Sequence, residues 1–143
     1  MGDRFVTRGF VGRRDRATDE LRAKIAELEG TTAANRRLAL WIAFDYGGRA
    51  EIVEAVRRLV DEGVDARDID ENAIGSRLYA PDLPEPDLVI RTSGEQRISN
   101  FLLWQLAYAE LVFVDTLWPD FGEEDLKKGV AEYAMRRRRF GGR

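Results

Sequence analysis

Apolar residues in this chain come in short blocks, and the spacing within each block sets the element it predicts. Phe5 to Val11 reads as a short strand, followed by a charged loop over Gly12 to Arg16. Thr18 is placed to cap a helix, with Asp19 and Glu20 in the first turn, where carboxylates suit the positive end of the helix dipole. Leu21, Ile25 and Leu28 then recur at helical spacing as far as about Ala34. Leu38 to Phe44 is an unbroken apolar run, the pattern of a strand buried on both faces, and Tyr46-Gly47-Gly48 ends it. Ile52, Val53, Val56, Leu59 and Val60 mark the apolar face of the next helix, which stops at Gly63.

Asp70 to Leu78 predicts a short helix, and the prolines between Pro81 and Pro86 require a loop. Asp87 to Arg91 is a short apolar strand, a helix is expected from about Asn100, Leu111 to Val114 is a further strand, and Glu123 to about Arg138 is a closing helix. Alternation of strand and helix gives the expected class, α/β, with a parallel sheet flanked by helices in a single domain over residues 1–143. In open sheets of this kind ligands bind beyond the carboxyl ends of the strands. Two segments lie there, Arg91 to Asn100 and Asp115 to Phe121.

Composition narrows the chemistry. The chain has no Cys and no His, so it offers no thiolate nucleophile, no Ser-His pair and no His/Cys zinc site. A metal would have to be held by carboxylates and other oxygen donors, which suits magnesium. Charged residues make up 34% of the chain, but the net charge is −3, which argues against nucleic acid as a partner. No apolar stretch is long enough to span a membrane and no signal peptide is evident, so a cytoplasmic location is expected.

The segment RTSGEQRISN, Arg91 to Asn100, directly follows a predicted buried strand. Arginine grips phosphate because its planar fork matches two oxygens at once. Ser99 adds a hydroxyl, Gly94 permits a tight turn or a close approach to ligand, and Ser99-Asn100 can cap the next helix, whose amino terminus favours anions. The set describes a diphosphate pocket; the competing reading is a solvated loop that ends in a helix cap.

The stretch PDLVIRTSGEQRISNFLLWQLAYAELVFVDTLWPDF, from Pro86 to Phe121, closely resembles the carboxy-terminal signature of the cis-prenyltransferases, the undecaprenyl diphosphate synthase family. LALWIAFDYGGRAEIVEAVRRL resembles that family's strand, Tyr-Gly-Gly-Arg turn and helix, and RRRRFGG resembles its Arg-x-Gly ending. The resemblance extends over essentially the whole chain and implies the joining of isopentenyl diphosphate to an allylic diphosphate with cis geometry. It implies that Arg91, Arg97 and Ser99 hold the isopentenyl diphosphate, with Glu95 orienting the arginines and Asn100 beside them. It makes Glu110 a magnesium ligand. Asp120 is expected to support the site indirectly or to cap the last helix. Arg139 and Gly141 match the tail that in the family reaches across a dimer interface into the neighbour's pocket. FLLWQLAYAELVF reads as core and, by resemblance, as dimer interface.

The family's Asp-Gly-Asn-x-Arg-Trp-Ala motif, whose aspartate binds magnesium and is needed to ionise the allylic diphosphate, does not occur in this sequence. Asn35-Arg36-Arg37 looks like a fragment of it, but no Asp-Gly precedes it. Trp41 and Asp45 stand where many members carry Asn, and Arg13 stands where Asp is common. The expectation is therefore a carboxy-terminal half, inactive alone and completed by a partner chain that carries the Asp-Gly-Asn motif; a truncated sequence would look the same. Alternatives are a stabilising subunit that donates only its Arg-x-Gly tail, a subunit of an irregular lavandulyl-type synthase, and a plain binding module for phosphorylated ligands. Peripheral membrane contact through a lipid product is a further expectation.

Overall fold

The computed structural model describes residues 6–35 and 38–136, which divide into two compact units, one up to Leu83 and one from Pro84. In the first unit β1 (Val6–Val11) and β2 (Ala39–Ala43) pair in parallel, with Phe10 opposite Ile42 and Val11 opposite Ala43. Beyond Val11 the chain turns sharply against β2. Gly12 has φ 129°, and a Cβ built there would lie 2.0 Å from the Phe44 carbonyl oxygen, so only glycine fits.

Helix α1 (Asp19–Thr32) begins as predicted, the Leu21 amide donating to Thr18 Oγ1 at 3.3 Å. Helix α2 (Gly48–Asp61) follows the Tyr46-Gly47 turn. Its buried row is Gly48, Glu51, Ala55 and Leu59, whereas Val53, Val56 and Val60 stay exposed. The apolar face expected from the valines is thus only partly the buried one. A carboxylate occupies the middle of that row because it is satisfied there. Glu51 Oε2 accepts from the Tyr46 hydroxyl at 2.5 Å and Oε1 from the Tyr79 amide at 3.0 Å. Helix α3 (Glu71–Gly75), capped by Asp70 through the Ala73 amide at 2.7 Å, is shorter than the expected Asp70 to Leu78.

The second unit holds β3 (Leu88–Arg91) and β4 (Glu110–Phe113), again parallel, with Leu88 opposite Glu110 and Arg91 opposite Phe113. The protein is α/β with parallel strands, as read from the sequence, but among the described residues the hydrogen-bonded ladders are two pairs, β1–β2 and β3–β4, and not one continuous sheet. Helix α4 (Glu123–Met135) packs on β3 so closely that a Cβ at Gly129 would lie 2.7 Å from Ile90 Cδ1. Val112, Leu102 and Leu106 are buried here.

The helix expected from Asn100 does not form. Residues 100–108 are a run of turns, with Leu106 bonded to the Leu102 carbonyl and Ala109 to that of Leu106. Ser99, Asn100 and Leu102 adopt left-handed backbone, with φ 49°, 62° and 44°, which a right-handed helix excludes.

Candidate functional site: an arginine-lined cavity beyond β3

At the carboxyl end of β3 the Arg91 carbonyl accepts from the Val114 amide at 2.8 Å, and the chain then leaves the ladder. The following turn is clamped to the segment after β4: the Ser93 amide donates to Thr116 O and the Gly94 amide to Val114 O, both at 2.9 Å. Ser93 and Gly94 are left-handed, at φ 70° and 66°. This turn throws residues 95–101 over the strand end and encloses a cavity of about 230 Å³. Arg91, Thr92 and Arg97 give it a polar side, and apolar residues including Ile98, Phe101 and Trp118 form the rest of its wall.

Arg91 is the distinctive member. Its Nε is buried and has no hydrogen-bond partner among the described residues. A buried donor left unmatched is unfavourable by about 1–3 kcal/mol, and more when charged, so its natural complement is an anion in the cavity. Arg97 pairs with Glu95, Nε to Oε2 at 2.7 Å, and remains 71% exposed, which places it at the rim. Glu95 thus steadies one of the two arginines it was expected to orient.

Ser99 and Asn100 are exposed and do not line the cavity, and without a helix behind them there is no helix amino terminus to cradle a phosphate. Asp120 lies exposed in a single 3₁₀ turn, Trp118–Asp120. The cap of α4 falls instead to Asp125, whose Oδ2 accepts from the Gly122 amide at 3.1 Å while Oδ1 accepts from Thr116 Oγ1 at 3.1 Å. These bonds hold the Asp125 carboxyl below its ordinary range, the Gly122 amide contributing most. Arg139 and Gly141 lie outside the described residues.

Glu110 opens β4. Its Oε2 accepts from Arg136 Nη1 at 2.9 Å, the same nitrogen reaches the Leu111 carbonyl at 2.9 Å, and Arg136 Nη2 pairs with Glu132. Among the described residues Glu110 Oε1 accepts no hydrogen bond, and no group of three His, Cys, Asp or Glu side chains is close enough to hold a metal. Glu110 is one hard oxygen donor already paired with Arg136, so the described residues do not by themselves make a magnesium site. Two participants escaped the sequence reading. Trp118, stacked on Phe121 at 5.9 Å, lies in the Asp115 to Phe121 segment expected beyond a strand end, but was not itself picked out as a cavity wall. Arg136 opens the RRRRFGG run, in which only Arg139 and Gly141 were given a role.

The first unit has a larger cavity, about 390 Å³, lined in part by Arg13, Arg14 and Arg58. Each of these arginines has a carboxylate: Arg13 with Asp15 and Arg14 with Glu29 at 2.7 Å, Arg58 with Glu54 at 3.9 Å. The Arg13 hydrogen bond pulls the Asp15 carboxyl down to about 2. With its cations neutralised, this cavity is the weaker anion site.

Residues 3–141 match the prenyltransferase family model described as "Putative undecaprenyl diphosphate synthase". The chain is 50% identical over 137 residues to isoprenyl transferase 2 of Bradyrhizobium diazoefficiens, covering 93% of this chain and 54% of that protein. It is 52% identical over 136 residues to an isoprenyl transferase of Fusobacterium nucleatum, covering 94% and 58%. Among solved structures, lavandulyl diphosphate synthase from Lavandula x intermedia, in complex with dimethylallyl diphosphate, superposes with a TM-score of 0.92 at 38% identity, covering 99% of this chain and 62% of that one. The chain thus spans little more than half the length of the curated relatives it matches. With a match along nearly its entire length, the chain belongs to the cis-prenyltransferase family typified by undecaprenyl diphosphate synthase.

Proposed function

We propose that the cavity beyond β3 binds the diphosphate of isopentenyl diphosphate within a cis-prenyltransferase that condenses it with an allylic diphosphate. The observation that carries this reading is the buried, unmatched Nε of Arg91 on the wall of a cavity that also receives Arg97. Arg91 fixes one phosphate from below, and Arg97, released from Glu95, closes from the rim. Ser99 joins only if its loop folds inward on binding. The apolar wall suits a five-carbon isopentenyl group. Magnesium, held in part by Glu110, would stabilise charge on the diphosphate it contacts.

The allylic half of the site, including the Asp-Gly-Asn motif, comes from residues outside this sequence, on a partner chain or on a longer form of the same chain. The reaction belongs in the cytoplasm, with the lipid product passing to a membrane surface. The Lavandula neighbour favours a second reading, irregular coupling of two five-carbon units, which differs only in what the allylic half presents.

The test is steady-state kinetics of the assembled enzyme. Arg91→Ala is expected to raise the apparent KM for isopentenyl diphosphate by the equivalent of about 1.5–3 kcal/mol. Unchanged kinetics after both Arg91→Ala and Arg97→Ala would leave a stabilising subunit as the better account, and deletion of Arg139 to Arg143 would then be the change that removes activity. Equal affinity for isopentenyl diphosphate and inorganic pyrophosphate would favour a plain phosphate-binding module.

A further inference from the structure

We propose, resting on the reading of the Arg91 cavity as the isopentenyl diphosphate site, that Thr116 is a positioning residue. Bonded at both ends, it ties the turn after β3 to the first turn of α4 and so holds the polar wall of the cavity in the shape that receives the anion. The Thr116 carbonyl accepts from the Ser93 amide at 2.9 Å, and the Thr116 hydroxyl donates to Asp125 Oδ1 at 3.1 Å. The other oxygen of that carboxylate accepts from the Gly122 amide at 3.1 Å, where α4 begins. The Gly122 amide first, and the Thr116 hydroxyl after it, hold the Asp125 carboxyl below its ordinary range. The Thr116 bond is therefore made to a charged acceptor at neutral pH, which strengthens it.

The turn needs such a hold. Ser93 is left-handed at φ 70°, a conformation that a residue with a side chain keeps only where its surroundings over-determine it. Arg91 and Thr92 lead into this turn, Arg97 and Ile98 follow it, and all four line the cavity. Gly94, bonded to the Val114 carbonyl, passes so near Asp115 that a Cβ there would lie 3.2 Å from its Oδ1. The Thr116 hydroxyl carries this clamp on to α4, and α4 packs back against Ile90 of β3 at Gly129. Strand end, turn and helix thus close a ring of contacts behind Arg91. Thr116 does not line the cavity, so its effect on a ligand passes through the residues it holds.

Thr116→Val keeps the branched side chain and removes only the hydroxyl. In steady-state kinetics of the assembled enzyme it is expected to raise the apparent KM for isopentenyl diphosphate roughly fivefold, the scale of one hydrogen bond, and to leave that for the allylic diphosphate unchanged. Thr116→Ser, which restores the hydroxyl, should return the parent value. In an Arg91→Ala background Thr116→Val should add little, because the side chain it positions is gone. An equal rise for both substrates, or a rise that Thr116→Ser does not recover, overturns the positioning role. A lowered melting temperature with an unchanged KM marks the bond as structural only and overturns it too. If Arg91→Ala itself leaves the KM for isopentenyl diphosphate unchanged, the cavity reading fails first and the role of Thr116 falls with it.

Discussion

Gly12 and Glu51 are two residues whose surroundings dictate their identity. A methyl group at Gly12 would collide with the Phe44 carbonyl, and the positive φ there strains any other residue. Gly12→Ala is expected to lower unfolding free energy by on the order of 2 kcal/mol or more, read as a shifted urea midpoint. Glu51 is 1% exposed and ties the first turn of α2 to Tyr46 and Tyr79. Glu51→Ala strands both donors and should remove about 3 kcal/mol in the same assay. Sequence showed the arginines and the turn glycines, because their chemistry is local. It did not show that Arg91 Nε lacks a partner among the described residues or that Arg136 reaches Glu110 and Leu111, since those facts depend on residues far apart in the chain.

Among the elements, α2 separates what pattern can and cannot tell. Its existence and ends were legible from Tyr46-Gly47-Gly48 and Gly63. Of the buried row only Leu59 was legible, since the row passes through Gly48, Glu51 and Ala55, and a hydropathy pattern rejects a carboxylate. Leu59→Ala should therefore destabilise by about 2–5 kcal/mol and Val60→Ala by no more than about 0.5 kcal/mol, although both read as core in the sequence. The failed helix after Asn100 has a different cause. Phe101 to Glu110 is composed of helix-tolerant residues, but three left-handed positions at its start override propensity.

Helix α4 carries a pH signature of its own. The Asp125 carboxyl is depressed in the folded state, so the stability it adds is present above its unfolded value, near 3.9, and is lost as pH falls through the lower folded value. The melting temperature of Asp125→Asn should lie below that of the parent at neutral pH, and the two should converge on acidification.

At the scale of the whole molecule, two units each pair two parallel strands and set helices against them, and the cavity with the unmatched cation lies entirely in the second. Alternation of strand and helix revealed the class without revealing that the ladders are separate, because hydrogen bonding between strands leaves no local mark in sequence. The site was legible to the extent that it is one contiguous segment. The Asp-Gly-Asn motif does not occur in this sequence, so no pattern in it could point to that part of a site. The 143-residue polypeptide alone is expected to bind pyrophosphate yet transfer no prenyl group, and supplying the Asp-Gly-Asn half should restore product, detectable with radiolabelled isopentenyl diphosphate.

The lone nitrogen of Arg91 gives the folded form a handle that an anion can stabilise. A guest that settles on the folded form alone shifts the folding balance by mass action, about 2.7 kcal/mol at a hundredfold excess over its Kd. Resistance to thermolysin should rise with added pyrophosphate and lose that response in Arg91→Ala.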